Sequence, residues 1–183
     1  MRFFLFIFFL SAGGVLHAQH SKQFSDAVVI YMSRHGTVAK VAGMIKDSCK
    51  SEPVTLINLK NVRNPNVSKC DLIVIGGSIH VGKIQKKIQK FCRKNEELLL
   101  TKKLGLFICC MFTGDEARKE FENAFSGKLR NHAIAKGLMG YELLFERMDM
   151  VERTVMKKLT GESKDVYKLD IENFNKFMAD LRK

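Results

Sequence analysis

Apolar runs of strand length alternate with segments of helical periodicity along most of the chain. The apolar runs predict β-strands at residues 27–33, 54–59, 71–77, 104–112 and 133–139. The patterns between and after them predict helices near residues 38–50, 83–95, 115–126, 142–160 and 170–182. Residues 60–69 are polar, with three asparagines and a proline, so a loop or a single turn is expected there.

The third and fourth apolar runs show no alternation, which is typical of strands covered by helices on both faces. Strands and helices in this alternation predict an α/β fold with a doubly wound, five-stranded parallel sheet of order 2-1-3-4-5. In such a sheet a ligand lies beyond the carboxyl ends of strands 1, 3 and 4. In this chain those ends are residues 33–38, 77–82 and 111–115.

The first of these ends is a tight turn between a buried strand and a helix. Gly36 tolerates a positive φ, Ser33 and Thr37 carry hydroxyls, and Arg34 carries a positive charge. Backbone amides of residues 35–39 can point at an anion at the positive end of the helix, which predicts a phosphate site. A helix cap, with Ser33 or Thr37 as the capping residue, explains the same residues.

The second end is a glycine-rich loop, Gly77-Ser78-Ile79-His80-Val81-Gly82. Its small residues leave room for a planar ring and expose backbone donors, although a strand-to-helix turn has the same composition. His80 can contact such a ring or transfer a proton, whereas a lone loop histidine is more often solvated. Together with the first loop, this loop predicts a mononucleotide bound at the edge of the sheet.

Two other classes of ligand site are excluded by their missing residues. A P-loop NTPase needs GxxxxGK followed by Ser or Thr, and the chain has no such motif. A phosphorelay receiver needs an acidic cluster after strand 1 and an Asp at the end of strand 3. The chain has Ser33-Arg34-His35 and Gly76-Gly77-Ser78 at these places.

The N-terminus and the cysteines point to different compartments. Arg2 and the apolar run after it predict that residues 1–22 are a signal peptide, a membrane anchor or a misassigned start, followed by one domain at 23–183. The five cysteines have no CxxC spacing, which predicts free thiols in a reducing compartment and no metal site. Cys109 and Cys110 are neighbours in a strand and should face opposite ways. The cysteines favour the cytoplasmic side, and residues 1–20 favour export or anchoring.

The net charge of +12 over 183 residues favours anionic partners. Nucleic acid is not expected, because zinc-finger spacing, an RNP-like aromatic pair and an arginine-rich tail are all missing. Two helices carry much of the charge. Residues 83–95 predict a solvated cationic face, with a docking patch for anionic lipid or an acidic partner as the alternative. In residues 142–160 an apolar stripe predicts packing on the sheet, or else contact with a membrane surface; the stripe is Leu144, Met148, Val151, Val155 and Leu159.

Three segments carry a family resemblance. YMSRHGTVAKVA at 31–42 and VIGGSIHVGKIQKKIQKF at 74–91 resemble the flavodoxin-like family. KGLMGYELLFERMDMVERTVMKKLTG at 136–161 is similar to the branch that includes menaquinone-dependent protoporphyrinogen IX dehydrogenases. The resemblance covers roughly residues 27–182 and implies a non-covalent FMN. It implies a phosphate surrounded by Ser33, Arg34, His35, Gly36, Thr37 and Val38. It implies an isoalloxazine with Gly77, Ser78, Ile79, His80, Val81 and Gly82 on one side and Phe112, Thr113 and Gly114 on the other.

The chain departs from the family pattern at identifiable places. The family usually has Thr two residues after the loop glycine, where this chain has Val38 and carries the hydroxyl at Thr37. The chain has no Trp, and no Tyr falls in the ring-binding loops, so His80 or Phe112 would flank the flavin.

The resemblance implies redox chemistry, with electrons passing from a porphyrinogen substrate through FMN to a quinone, at a peripheral membrane contact. Carrier flavodoxins tend to be acidic, so the basic charge favours an enzyme. Two alternatives stay open: an electron carrier between protein partners, and a domain that has lost FMN. The sequence identifies no catalytic acid or base.

Overall fold

The computed structural model describes residues 26–49 and 53–183, so the predicted leader at 1–22 lies outside the described residues. Strands are β1 (Ala27–Met32), β2 (Val54–Asn58), β3 (Leu72–His80), β4 (Lys83–Ile84), β5 (Lys103–Cys109), β6 (Ala135–Leu138), β7 (Gly140–Leu143) and β8 (Val166–Leu169). Helices are α1 (Thr37–Ser48), α2 (Lys86–Lys94), α3 (Glu96–Leu99), α4 (Gly114–Ala124), α5 (Gly127–His132), α6 (Met150–Thr160) and α7 (Ile171–Leu181), with a 3-10 turn at Phe145–Arg147.

The main sheet has the predicted topology. Its strands lie in the order β2-β1-β3-β5-β6, and every neighbouring pair in this order is parallel. These are the five predicted strands in the order 2-1-3-4-5, so the α/β, doubly wound prediction is confirmed. Residues 60–69 form neither a helix nor a strand, as expected. In the part of the chain that the structure describes, no helix is long and apolar enough to cross a membrane.

Helices cover both faces of this sheet and create two apolar cores. One core packs α2, α4 and α5 on the sheet, and the other packs α1 and α7 on the opposite face. Cys109 ends β5 and lies in the second core, and Cys110, which follows it, lies in the first, so the two face opposite ways as expected. Among the described residues, Cys70, Cys92, Cys109 and Cys110 are free thiols. Burial raises the pKa of the Cys92 and Cys110 thiols to about 12, so both stay protonated near neutral pH.

The largest difference from prediction is an insertion between β6 and α7, which we call the 140–169 insertion. The sequence predicts one helix over 142–160, but β7 and β8 form an antiparallel pair with the 3-10 turn and α6 between them. The helix begins only at Met150 because Asp149 and Glu152 form a capping box there. Apolar residues before this cap pack instead into a small local core of Leu143, Phe145 and Met148.

The packing expected for α6 is therefore wrong. Every residue of α6 is exposed or half-exposed, and the apolar stripe does not rest on the sheet. Val151 and Leu159 are each 74% exposed, and Met150 is 83% exposed. Leu144 and Met148 precede the cap and do not belong to the helix at all. The sequence pattern also missed β4, α3 and α5, whose lengths are too short for a periodicity to show.

Candidate functional site

The loops after β1, β3 and β5 lie side by side because these strands are neighbours in a parallel sheet. Side-chain contacts join the first two loops. The amide nitrogen of Gln85 donates to the Met32 carbonyl at 3.2 Å and to Ser78 Oγ at 2.6 Å. The rings of His35 and His80 approach edge to face, with centroids 6.4 Å apart. The sheet edge thus brings together the first two predicted segments.

The first loop presents the amino end of α1. Gly36 is the N-cap residue, with a left-handed φ of 116°, and no described side chain caps the helix. Ser33 Oγ accepts the Gly36 N–H at 3.1 Å, and the Thr37 hydroxyl donates to the Glu142 carbonyl at 3.3 Å. The alternative of Ser33 or Thr37 as a simple helix cap is therefore wrong. An uncapped helix start with free amides suits an anion.

Neither Val38 nor Thr37 offers a side-chain hydrogen-bond donor to an anion at the first loop. The Val38 side chain is 1% exposed and packs in the core beneath α1, so only its backbone faces the loop. The Thr37 hydroxyl points to the 140–169 insertion, as its bond to Glu142 shows. Side-chain donors for a phosphate are therefore the Ser33 hydroxyl and the Arg34 guanidinium, with the backbone N–H groups beside them.

The 140–169 insertion holds the outer side of this loop. The Arg34 guanidinium pairs with the Glu152 carboxylate, and His35 Nε2 lies 3.6 Å from the same carboxylate. Arg147 donates through Nη1 to the His35 carbonyl at 3.3 Å, and His35 Nδ1 lies 3.1 Å from the Arg147 carbonyl. Sequence reasoning missed Arg147 and Glu152. The capping box at 149–152 was a signal that a helix begins beside the loop.

A partly buried ion pair fixes the insertion to α1. Glu142 on β7 has a side chain only 3% exposed, and its Oε1 accepts from Lys40 Nζ at 2.5 Å. The Lys40 side chain is half exposed, so the pair sits at the rim of the fold. A buried carboxylate needs such a partner. No pattern in the sequence indicates this contact, because 102 residues separate the two positions.

The second loop is a β-hairpin, so the alternative of a strand-to-helix turn is wrong. β3 runs on to His80, and β4 returns with Ile79 opposite Ile84 and His80 opposite Lys83. The two turn residues have positive φ, 50° at Val81 and 69° at Gly82, which is the pattern of a two-residue type I′ turn. Val81 is β-branched and fully exposed, so its strained backbone presents an apolar side chain to solvent.

The glycines before this turn do not leave open space. A Cβ on Gly76 would lie 2.1 Å from the Phe107 ring, and one on Gly77 would lie 2.4 Å from Gln85 Oε1. The room expected for a planar ring is therefore filled by the protein's own side chains at these two positions. Gln85 Oε1 is buried without a hydrogen-bond partner among the described residues, so this amide is held by its nitrogen alone.

His80 lies on the second loop in a partly sheltered setting. Its Nε2 is 2.9 Å from Ser78 Oγ. Desolvation lowers the pKa of His80, the nearby His35 and Arg34 lower it further, and Glu152 opposes them. A pKa below the ordinary value keeps the imidazole neutral near pH 7. Neutral imidazole presents one donor and one acceptor nitrogen beside the sheet edge.

The third loop supplies an exposed aromatic ring. Phe112 is 52% exposed, and Gly114 begins α4 with a φ of 59°. Behind the loop, the carboxyl of Glu120 lies against Cys110, and desolvation raises the pKa of Glu120. The exposed apolar residues at these loops are thus Val81 on the second loop and Met111 and Phe112 on the third. Within residues 26–49 and 53–183, no cluster of His, Cys, Asp and Glu could hold a metal ion.

These features fit FMN. The uncapped start of α1, the Ser33 hydroxyl and the Arg34 guanidinium form an anion site of the kind that a phosphate occupies. His80, Val81 and Phe112 offer surfaces for a flat, largely apolar ring at the adjoining loops. The assignment of individual residues to the phosphate or to the ring stays a prediction.

Comparisons with known proteins agree with the fold. The flavodoxin domain family matches residues 28–169. Oxidised flavodoxin 1 from Bacillus cereus is 17% identical over 86% of this chain and 97% of its own, with a TM-score of 0.52. A short-chain flavodoxin associated with a bacterial microcompartment is 18% identical over 86% and 96%, with a TM-score of 0.53. An apo NADH:FMN oxidoreductase is 10% identical over 86% and 88%, with a TM-score of 0.58.

A search of curated proteins found no match. The matched family covers most of the chain and all five parallel strands. With the anion site at the start of α1, it supports FMN as the cofactor, as the sequence predicts. The chain belongs to the flavodoxin domain family.

Proposed function

We propose that this protein is an FMN-dependent oxidoreductase that passes electrons from a reduced substrate to a quinone, with protoporphyrinogen IX as the candidate substrate. One observation carries the redox assignment. The uncapped amino end of α1, with Gly36 in the left-handed region, adjoins loops that expose His80, Val81 and Phe112. This arrangement combines an anion site with an apolar ring site at one sheet edge.

Each residue has a distinct task in this proposal. Ser33 and Arg34, with the loop amides, bind the phosphate, and the Arg147 contact holds the loop from outside. Val81 and Phe112 exclude water from the ring, and neutral His80 holds a proton at one nitrogen for a hydrogen bond. Bound FMN supplies hydride and single-electron chemistry, which no side chain of this chain can perform alone.

The finer assignment rests on charge and on electron balance. A net charge of +12 suits a substrate with carboxylate groups, such as the propionates of a porphyrinogen. Each two-electron oxidation of the substrate releases two protons, and one quinone takes up the electrons and two protons to become a quinol. The resemblance of residues 136–161 to a menaquinone-dependent branch supports this acceptor.

The outer surface of α6 supports a peripheral membrane contact. Met150, Val151 and Leu159 expose apolar side chains, and Lys157 and Lys158 follow on the same short helix. An apolar strip beside cations is typical of helices that lie on anionic bilayers. Removing Lys157 and Lys158 together by alanine should weaken binding to vesicles containing anionic lipid roughly thirty-fold, since each cation near the surface contributes about 1 kcal/mol.

Co-sedimentation with vesicles that contain about 30% anionic lipid measures this effect, because such vesicles have a strong negative surface potential. Lys119 and Lys136 are exposed lysines on α4 and β6, so their double alanine variant is the matched control. Equal binding by the α6 variant and the unchanged protein would remove the membrane contact from the proposal.

An electron carrier between protein partners is the second candidate. Full exposure of Val81 and half exposure of Phe112 favour it, because a docking protein could cover both residues at the flavin-binding edge. The enzyme and the carrier can be distinguished by their catalytic turnover and by their redox titration. An enzyme oxidises protoporphyrinogen with a quinone as acceptor, whereas a carrier shows separated one-electron steps in a reductive titration and no such turnover.

The first experiment is an absorption spectrum of the purified full-length chain, before and after FMN is added and free FMN is removed. We expect flavin bands near ~370 and ~450 nm to stay with the protein. A chain that retains no flavin and takes up none would be the degenerate domain, and the redox proposal would fail. Turnover assays with protoporphyrinogen and menaquinone then decide between the enzyme and the carrier.

A further inference from the structure

A cationic groove lies between α2 and the loop that follows β2. It encloses about 330 Å³, with Leu59 and Phe91 among the residues that line it. Its cations are Arg63, Lys87, Lys90 and Lys94. The remaining lining residues are two asparagines, so every residue that faces the groove is apolar, amide or cationic.

The three lysines form one wall. Their spacing of three and then four residues places them on one face of α2. Seven residues of helix span about 10 Å, so the ammonium groups are distributed along a line of about that length. Arg63 belongs to the loop on the facing wall. The result is a linear cationic array that encloses a trough rather than a dispersed charged surface.

Hydrogen bonds hold this wall against the loop. Lys87 Nζ donates to the Leu59 carbonyl at 3.0 Å and to the Lys60 carbonyl at 3.3 Å. Lys94 Nζ donates to Asn64 Oδ1 at 3.4 Å. The two outer lysines of the wall are thus positioned at the ends of the groove.

No carboxylate is among the residues that line the groove. Among the described residues, none of the groove's four cations forms a salt bridge. Residues 59–95 contain Asp71 as their single acidic residue, against nine lysines and arginines. Gathering like charges in one place opposes folding unless an anion is bound there. The groove is therefore built for an anionic ligand.

We propose that this groove binds a di- or triphosphate group, either free or as part of a nucleotide. A triphosphate is a linear polyanion whose length fits within the lysine wall, and lysine ammonium groups bind phosphates as point charges. The volume of the groove is at the small end of the range for small-molecule sites. Its eight lining residues are far fewer than the roughly 20–30 that each side of a stable protein interface contributes, which favours a small ligand over an acidic protein.

The test is calorimetric titration of the full-length protein, saturated with FMN so that the phosphate loop is filled. We expect sodium tripolyphosphate and ATP to bind with a stoichiometry of about one. The Lys87→Ala/Lys94→Ala variant should bind tripolyphosphate at least about five-fold more weakly, since two of four cations are lost. Lys119→Ala/Lys136→Ala, which removes two exposed lysines elsewhere, should bind as the unchanged protein does.

Lys90→Glu provides a second variant that does not touch the loop, because the structure gives Lys90 no hydrogen bond among the described residues. It should weaken binding at least as much as the double variant. ATP binding tighter than tripolyphosphate would identify a nucleotide as the source, and equal affinities would identify the phosphate chain alone. No saturable binding, equal weakening in the control variant, or tighter binding of hexaglutamate would each overturn the proposal.

Discussion

Replacing Gly36 by alanine should weaken FMN binding about thirty-fold. Gly36 has a φ of 116°, which L-residues with a side chain rarely adopt. Holding alanine in a sparsely populated backbone region costs on the order of 2 kcal/mol, which corresponds to about a thirty-fold change in affinity. Without FMN the loop can relax into another conformation, so the strain returns when the phosphate binds. Fluorescence titration of FMN, whose emission is quenched on binding, gives the dissociation constant.

Gly43→Ala is the matched control for this loop variant. Gly43 lies in the middle of α1, and a Cβ there would meet no atom within 4 Å. Alanine should stabilise the helix by about 0.5–1 kcal/mol and leave FMN affinity unchanged. A Cβ on Gly36 would also contact Arg147 Nη1 at 2.2 Å, which is the far end of a flexible side chain.

The double variant Gly36→Ala/Arg147→Ala separates these two causes. It removes the contact but not the backbone strain, so weak FMN binding should persist. Full recovery of affinity in the double variant would show that crowding by Arg147, and not the backbone, decides the effect. An unchanged dissociation constant in Gly36→Ala alone would show that the phosphate is not bound at this loop.

The main sheet could be predicted because its information is local and repeated. Each strand is a continuous apolar run, and each helix on the sheet carries its own period, so one error does not spread to the next element. Crossover handedness then leaves few topologies. The register of β1 with β3, from Ala27 opposite Leu72 to Met32 opposite Gly77, aligns the two strands so that their following loops adjoin. The edge of the sheet at which a ligand is expected can therefore be predicted from the strand order alone.

The 140–169 insertion could not be predicted in the same way because its contacts are not local. Leu144 and Met148 continue the apolar spacing of α6, but the Asp149 cap separates them from the helix. What places the insertion is Glu142 against Lys40 and Arg147 against His35, contacts between residues more than 100 positions apart. A period measured along the chain carries no information about such pairs.

The glycines of the predicted site were the residues whose role was hardest to infer from the sequence. Gly36 adopts the positive φ that the sequence predicts for the first loop, a conformation that favours glycine. Gly77 was expected to leave room for a ligand ring, yet its neighbours are Ile84 and Gln85 of the same chain, and Gly76 beside it faces Phe107. The sequence alone does not distinguish a glycine that leaves space for a ligand from one that leaves space for a core side chain.

Gly76→Ala should therefore destabilise the whole domain rather than block a ligand. Gly76 lies in the central strand β3, opposite Tyr31 on one side and Phe107 on the other. A Cβ there would be 2.1 Å from two atoms of the Phe107 ring. That ring is fully buried and packs edge to face on Phe177 with centroids 6.2 Å apart, so it has no free space to enter. Overpacking at such a position costs about 3 kcal/mol.

Urea unfolding followed by circular dichroism gives the free energy of unfolding, and the midpoint of thermal unfolding should fall by roughly 6–12 °C for a domain of this size. Phe107→Leu removes the ring edge but keeps an apolar side chain, so Gly76→Ala/Phe107→Leu should be less destabilised than the sum of the two single changes. Strict additivity, or a loss in Gly76→Ala no larger than about 0.5 kcal/mol, would contradict the steric account. FMN affinity measured well below the midpoint should change little, because the added methyl group faces Phe107 and not the sheet edge.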